Sequence, residues 1–320
     1  MQTIRASVAG EFEQMNRLII EQLQSRVPMV ENVGHYIIDA GGKRLRPLLA
    51  LLTGAALGGC RASHVTFAAV IEFIHTATLL HDDVVDISSL RRGRPTANAA
   101  FGNAPSVLVG DFLYTRAFQL MVQLENMPVL RHMADTTNTI AEGEVMQLAR
   151  AGDPDTSEQD YLDIITRKTG VLFAAACFGA AVLSQRPAGE QQRMADFGLH
   201  LGIAFQMIDD VLDYEGDAAT MGKNVGDDLT EGKPTLPLIH ILREGSTAEQ
   251  ALVRHAINAR TAQDIGAIVA AVRRCGAADY TREQARLHHD LALQALDGLG
   301  AGEARNALQE LTRLSLERDH

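Results

Sequence analysis

Cysteine is scarce in this 320-residue chain: Cys60, Cys177 and Cys275 lie far apart, are odd in number, and none belongs to a C-x-x-C pair. That pattern excludes a disulfide framework and gives no sign of a zinc site. Positive charge is also short. A formal net charge of -11 argues against nucleic-acid binding, which runs on basic surface. No uninterrupted apolar run reaches the ~18 residues of a membrane span, so no transmembrane segment is expected. The first residues, with Glu11, Glu13 and Glu21 among apolar neighbours, lack the basic start and apolar block of a secretory signal. A cytoplasmic location is the expectation. Alternating strand patterns bounded by turn residues are equally hard to find.

Apolar residues at helical spacing fill the chain instead, at 46% of the whole against 22% charged, the balance of a globular all-α protein. Breaks are predicted at Gly41-Gly42, Arg92-Gly93-Arg94-Pro95, Gly102 to Pro105, Gly152 to Asp155, Arg186 to Gly189 and Gly216 to Pro237. No low-complexity linker divides the chain, so a single domain over residues 1–320 is expected. The segments Val65 to Asp86 and Val171 to Leu183 are apolar nearly all round, as central helices are.

Acid is present in a particular form. Asp82-Asp83-Val84-Val85-Asp86 and Asp209-Asp210-Val211-Leu212-Asp213 repeat one pattern, each after an apolar run. Aspartates four apart share one helix face, with Cβ atoms about 5–6 Å apart, close enough to hold a hard cation between them. A solvated acidic face fits poorly, because Leu79-Leu80 and Phe205 to Ile208 draw the acids toward the interior, where a carboxylate needs a metal, a cation or a proton. Two such pairs suit Mg2+ ions gathered around a phosphate-bearing substrate. The flanks of the two motifs do not match over a longer period, so they read as two walls of one site.

Their neighbours extend the pattern. His75, Asp82 and Asp86 fall along one stripe of one helix, and a polar stripe on a buried helix lines a cavity. Lys43, Arg44 and Arg46 cluster just after Gly41-Gly42, and Arg91, Arg92 and Arg94 follow the first acidic motif. Arginine forks match phosphate oxygens and lysine adds a mobile charge, so the two clusters suit a polyanion held from both sides. Lys168-Thr169 reads as the start of the apolar Val171 to Leu183 helix, where a helix N-terminus would add its pull on an anion. Gln206 lies one turn from Asp209. Lys223, Asp227, Asp228 and Lys233 occupy a Gly-rich stretch, read as a lid that closes over the site.

Together these motifs resemble the trans-type polyprenyl diphosphate synthases, octaprenyl type above all, from Gly41 to Tyr280-Thr281-Arg282, with no departure at a motif position. The resemblance implies antiparallel helices around a central cavity, a homodimer, and a cluster of about three Mg2+ ions. It implies that Lys43, Arg46, His75 and Arg92 bind isopentenyl diphosphate. Arg91, Lys168, Thr169, Gln206, Lys223 and Lys233 are implied to contact the allylic diphosphate, and Asp82, Asp86, Asp209 and Asp213 to bind Mg2+. Asp82, Asp86, Lys168, Asp209, Lys223 and Lys233 would carry the catalysis, with Asp83 and Asp210 supporting from behind. Small residues at Ala77 and Thr78, one turn before Asp82, would leave the tunnel open to a long product, with Met121 and Met133 as its floor. The implied reaction makes a polyprenyl diphosphate for quinone side chains, with transient membrane contact for product release. A shorter-chain synthase, a class I terpene cyclase and a non-catalytic synthase subunit are the alternatives. The cyclase would not need Lys43, Arg46 and His75, and the subunit would be expected to have lost an acidic motif.

Overall fold

Helix follows helix through the computed structural model, which describes residues 2–215 and 226–317. The expected all-α architecture holds, with one short exception among the described residues. Leu90–Arg91 and Arg94–Pro95 pair antiparallel around Arg92-Gly93, in the register Leu90↔Pro95 and Arg91↔Arg94. Both turn residues have positive φ, 53° and 72°, as a two-residue type I′ hairpin requires. Strands of two residues are too short to produce an alternation visible in the sequence.

The chain divides into two compact units. The first comprises Met1–Thr136, Leu172–Gly198 and Ala295–Leu311, and the second Thr137–Val171, Leu199–Gln294 and Thr312–His320. At the heart of the first runs Ala62–Val85, packed on Asn103–Gln123, Leu45–Ala56 and Ala9–Gln22. Phe67, Phe73, Ile74, Ala77 and Leu80 are wholly buried on it, which is why the segment is apolar nearly all round. His64 fixes its start. The Arg61 N–H donates to His64 Nδ1 at 3.0 Å, so the ring proton sits on Nε2 and faces the Ala180 carbonyl at 3.2 Å.

In the second unit, Val211, Tyr214, Leu229, Leu238, Ile241, Val253, Ile257 and Ile268 form one buried cluster. Tyr161, Ile165, Ile203, Met207, Ile208 and Leu236 form another. Gly102, with φ 92°, ends Ala97–Phe101 and precedes Asn103–Gln123 at the predicted break.

Ala62–Val85 and Glu158–Leu183 are long and apolar enough to cross a membrane by length and composition alone, which the run-length reading did not register. Their apolar windows are 72% and 67% buried within the protein, as expected of core helices.

Candidate active site

Both acidic motifs lie at the C-terminal ends of their helices. Asp82 and Asp83 occupy the last turn of Ala62–Val85 and Asp86 caps it, with no basic residue in that turn. Asp209, Asp210 and Asp213 occupy the last two turns of Ala188–Glu215, again without a basic residue in the last turn. The helix dipole is negative there, so each added carboxylate is disfavoured by roughly 0.3–1 kcal/mol and a cation is correspondingly welcome. Among the described residues no three His, Cys, Asp or Glu side chains gather into a ready-made metal cage.

Within the first motif the aspartates divide. Asp82 and Asp86 are half-exposed, whereas Asp83 is fully buried and ion-paired. Arg91 Nε and Nη2 donate to Asp83 Oδ1 at 2.9 and 2.7 Å, and Asn98 Nδ2 donates to the Asp83 carbonyl at 3.1 Å. Asp83 thereby anchors Arg91 at the base of the hairpin.

The hairpin also delivers Arg92. Tyr36 donates its hydroxyl to the Pro95 carbonyl at 2.7 Å, and the Arg94 guanidinium lies 5.0 Å from the centre of the Tyr36 ring. Pro28–Asp39 carries Tyr36 and leads directly into Gly41-Gly42, so the tether brings the turn to that loop. A Cβ on Gly42 would stand 2.8 Å from Arg92 Nη1. Glycine there makes room for a guanidinium.

Arg46 and His75 meet as the sequence grouping required. Arg46 Nη1 lies 3.1 Å from His75 Nε2, and the Arg46 guanidinium stacks 4.5 Å from the centre of the Phe173 ring. Burial, then the charges of Arg46, Arg92 and Arg91, hold the His75 imidazole well below its ordinary pKa. A neutral ring accepts from Arg46 and keeps one N–H for a ligand. Lys43 is exposed on the same loop, where its carbonyl accepts from Arg5 Nη2 at 2.6 Å. Glu72, one turn before His75 and missed in the sequence, lies buried with Arg44 Nε 3.6 Å away. Burial raises its pKa, while Arg44, Arg46 and Arg92 pull it back. It is the counter-charge of the basic cluster.

In the second unit Lys168 and Thr169 lie inside a π-helical turn, Thr166–Gly170. That corrects one expectation: Glu158–Leu183 runs as one helix, so no N-terminus is available at Lys168-Thr169 to draw an anion. The turn is wedged in place instead. A Cβ on Gly143 would approach the Lys168 backbone nitrogen to 2.9 Å, so the Met127–Arg150 helix packs tightly against it. Lys168 Nζ reaches Glu144 Oε2 and Gln147 Oε1, each at 2.7 Å. Thr169 donates to Gln206 Oε1 at 3.0 Å, and Gln206 Nε2 donates to Asp210 Oδ1 at 2.9 Å.

The second motif divides differently, because its last aspartate is buried where Asp86 is half-exposed. Asp209 is half-exposed, while Asp210 and Asp213 are 3% exposed. Burial and then Asp228 push the Asp210 pKa up to about 8, with Tyr161 and Gln206 opposing them. A divalent cation nearby would oppose them too. Lys233 pairs with Glu231 beyond the short Asp227–Thr230 helix. Lys223 lies outside the described residues, whereas Asp227, Asp228 and Lys233 of the expected lid are described. Ala77, Met121 and Met133 are buried in the first unit, and Thr78 donates to the His75 carbonyl at 2.8 Å.

The Polyprenyl synthetase family profile matches residues 27–274, and the chain belongs to that family. It is 47% identical over 320 residues to the octaprenyl diphosphate synthase of Escherichia coli (strain K12), covering 100% of this chain and 99% of that one. It is 48% identical over 318 residues to the all-trans-nonaprenyl-diphosphate synthase (geranyl-diphosphate specific) of Rhodobacter capsulatus, covering 99% and 98%. A crystal structure of a polyprenyl synthase from Caulobacter crescentus CB15, complexed with calcium and isoprenyl diphosphate, superposes with a TM-score of 0.96 at 42% identity, covering 100% and 98%.

Proposed function

We propose that this protein is a Mg2+-dependent prenyltransferase that adds isopentenyl diphosphate units to an allylic diphosphate, farnesyl diphosphate in the first instance, and releases a long all-trans polyprenyl diphosphate. The full-length likeness to octaprenyl diphosphate synthase, with the motif residues in place, carries this reading. Octaprenyl is the leading product. The equal likeness to a nonaprenyl synthase makes nine units the second reading.

The chemistry asks for charge at one end and dryness at the other. Ionising an allylic diphosphate separates a carbocation from a highly charged leaving group, and Mg2+ supplies the Lewis-acid charge that stabilises the departing oxygens. Asp82, Asp86, Asp209 and Asp213 would hold that ion set, while Arg91, Lys168, Thr169, Gln206, Lys223 and Lys233 contact the allylic diphosphate. Lys43, Arg46, His75 and Arg92 hold isopentenyl diphosphate, whose double bond attacks the cation before a proton is lost. Water must be excluded, because it would capture the cation. Lys168 is held by Glu144 and Gln147 here, so an arriving diphosphate has to compete for it.

Incubation with farnesyl diphosphate, labelled isopentenyl diphosphate and Mg2+ tests the reading. Long-chain label supports it, and a cyclic hydrocarbon or no incorporation overturns it. In the same assay Ala77→Phe is expected to shorten the product, as read by chromatography after dephosphorylation. Unchanged length would remove Ala77, and with it Thr78, Met121 and Met133, from the product path. Gly42→Ala is expected to raise KM for isopentenyl diphosphate about tenfold by displacing the Arg92 guanidinium, with KM for the allylic substrate little changed. Equal changes in both constants would separate Arg92 from the isopentenyl site.

The protein is read as a cytoplasmic homodimer that touches the membrane only to release product for quinone side chains. Leu108 and Val122 on Asn103–Gln123, a helix of the first unit, are exposed apolar residues that support a self-association surface.

A further inference from the structure

Tyr161 has no part in the roles set out above, yet its hydroxyl makes the shortest link in a buried chain of hydrogen bonds. It donates to Asp210 Oδ2 at 2.6 Å, and the two residues are 4% and 3% exposed. The other Asp210 oxygen accepts from Gln206 Nε2, and Gln206 Oε1 accepts from the Thr169 hydroxyl. All four residues belong to the second unit.

The chain has a direction, set at the Tyr161 end. In its ionised form, which a nearby divalent cation favours, Asp210 only accepts, so the nitrogen of the Gln206 amide faces Asp210 and its oxygen faces Thr169. One N–H of that nitrogen goes to Asp210. The second is the one an anion can use. Without the Tyr161 hydroxyl, Asp210 Oδ2 is left buried and unpaired, and the carboxylate recovers a donor only by turning away from its present partners. Gln206 then loses the acceptor that selects its orientation, and Thr169 loses its fixed acceptor in turn.

We propose that Tyr161 is a positioning residue for allylic diphosphate binding: acting through Asp210, it fixes the Gln206 amide with an N–H toward the diphosphate and holds Thr169 in the π-helical turn that carries Lys168. This rests on the prenyltransferase reading above and goes beyond it in naming a residue that touches neither substrate. The effect is confined to one of the two substrates, which a general packing role would not produce.

Calorimetric titration of the intact protein tests it, with Mg2+ present and an unreactive thiodiphosphate analogue of farnesyl diphosphate as the probe. Tyr161→Phe is expected to weaken analogue binding about tenfold, the loss of roughly one well-placed hydrogen bond, and to leave isopentenyl diphosphate binding within about twofold of wild type. Unchanged analogue affinity overturns the proposal, and so does an equal loss for both ligands. Should Tyr161→Phe fail to fold, Asp210→Asn keeps the shape while adding a competing donor, and is judged by the same split. If wild-type protein incorporates no isopentenyl units, the functional reading fails first. A wild type that elongates normally beside a variant without the split sinks the Tyr161 role alone.

Discussion

Asp82→Ala is expected to lower turnover by at least about 10³-fold, some 4 kcal/mol of transition-state stabilisation, while leaving the fold intact. Asp82 is half-exposed in the last turn of Ala62–Val85, so its removal leaves no cavity. Taking a negative charge from the negative end of the helix dipole relieves a repulsion, and the melting temperature should hold or rise slightly. The loss falls on the departing diphosphate, whose charge grows most in the transition state. Incorporation of labelled isopentenyl diphosphate and a thermal melt on the same sample read both quantities. Near-normal incorporation would defeat the metal role.

The neighbouring substitution, Asp83→Ala, should differ by losing stability as well as activity. Asp83 is fully buried and accepts both Arg91 bonds on one oxygen, so its loss strands a guanidinium that is only 23% exposed. Removing one partner of a buried ion pair costs about 3–5 kcal/mol. Because Arg91 can turn partly toward water, the lower end applies, about 3 kcal/mol, or a fall in melting temperature of roughly 6–10 °C. Arg91 would also leave its place at the base of the hairpin, so activity should drop with stability. A double substitution, Asp83→Ala with Arg91→Met, should recover much of the stability and none of the activity. A melt unchanged in Asp83→Ala would show that the ion pair contributes nothing to the fold.

That two adjacent aspartates differ so sharply was legible in outline, because i and i+1 on a helix face different ways. Asp83 and Asp210 were expected behind Asp82 and Asp209, and both are buried and hydrogen-bonded there. The helices themselves were legible because their apolar faces recur at one period, and the breaks because glycine and proline mark them. Arg46 with His75, and Gln206 with Thr169, were grouped by the family resemblance, and each pair is in contact. What escaped depended on contacts distant in sequence. Tyr161 meets Asp210 across 49 residues, and Lys168 meets Glu144 across 24, with no local pattern to announce either. Glu72 had a signal, a lone acid in the apolar run that leads to His75. The supposed helix start at Lys168 failed because it was set by where the apolar run begins, at Val171, whereas the helix passes through Thr166–Gly170 as a π turn.

That π turn sets the angular phase of one side of the second unit. Tyr161 and Thr169 are eight residues apart, which in an uninterrupted α-helix would leave them about 80° out of alignment. Both nevertheless address the Ala188–Glu215 helix, Tyr161 at Asp210 and Thr169 at Gln206. The wider turn between them takes up the offset like a shim, and it carries Lys168 and Thr169 as well. Were the same residues wound as regular α-helix, Tyr161 and Thr169 would turn about 80° apart and uncouple.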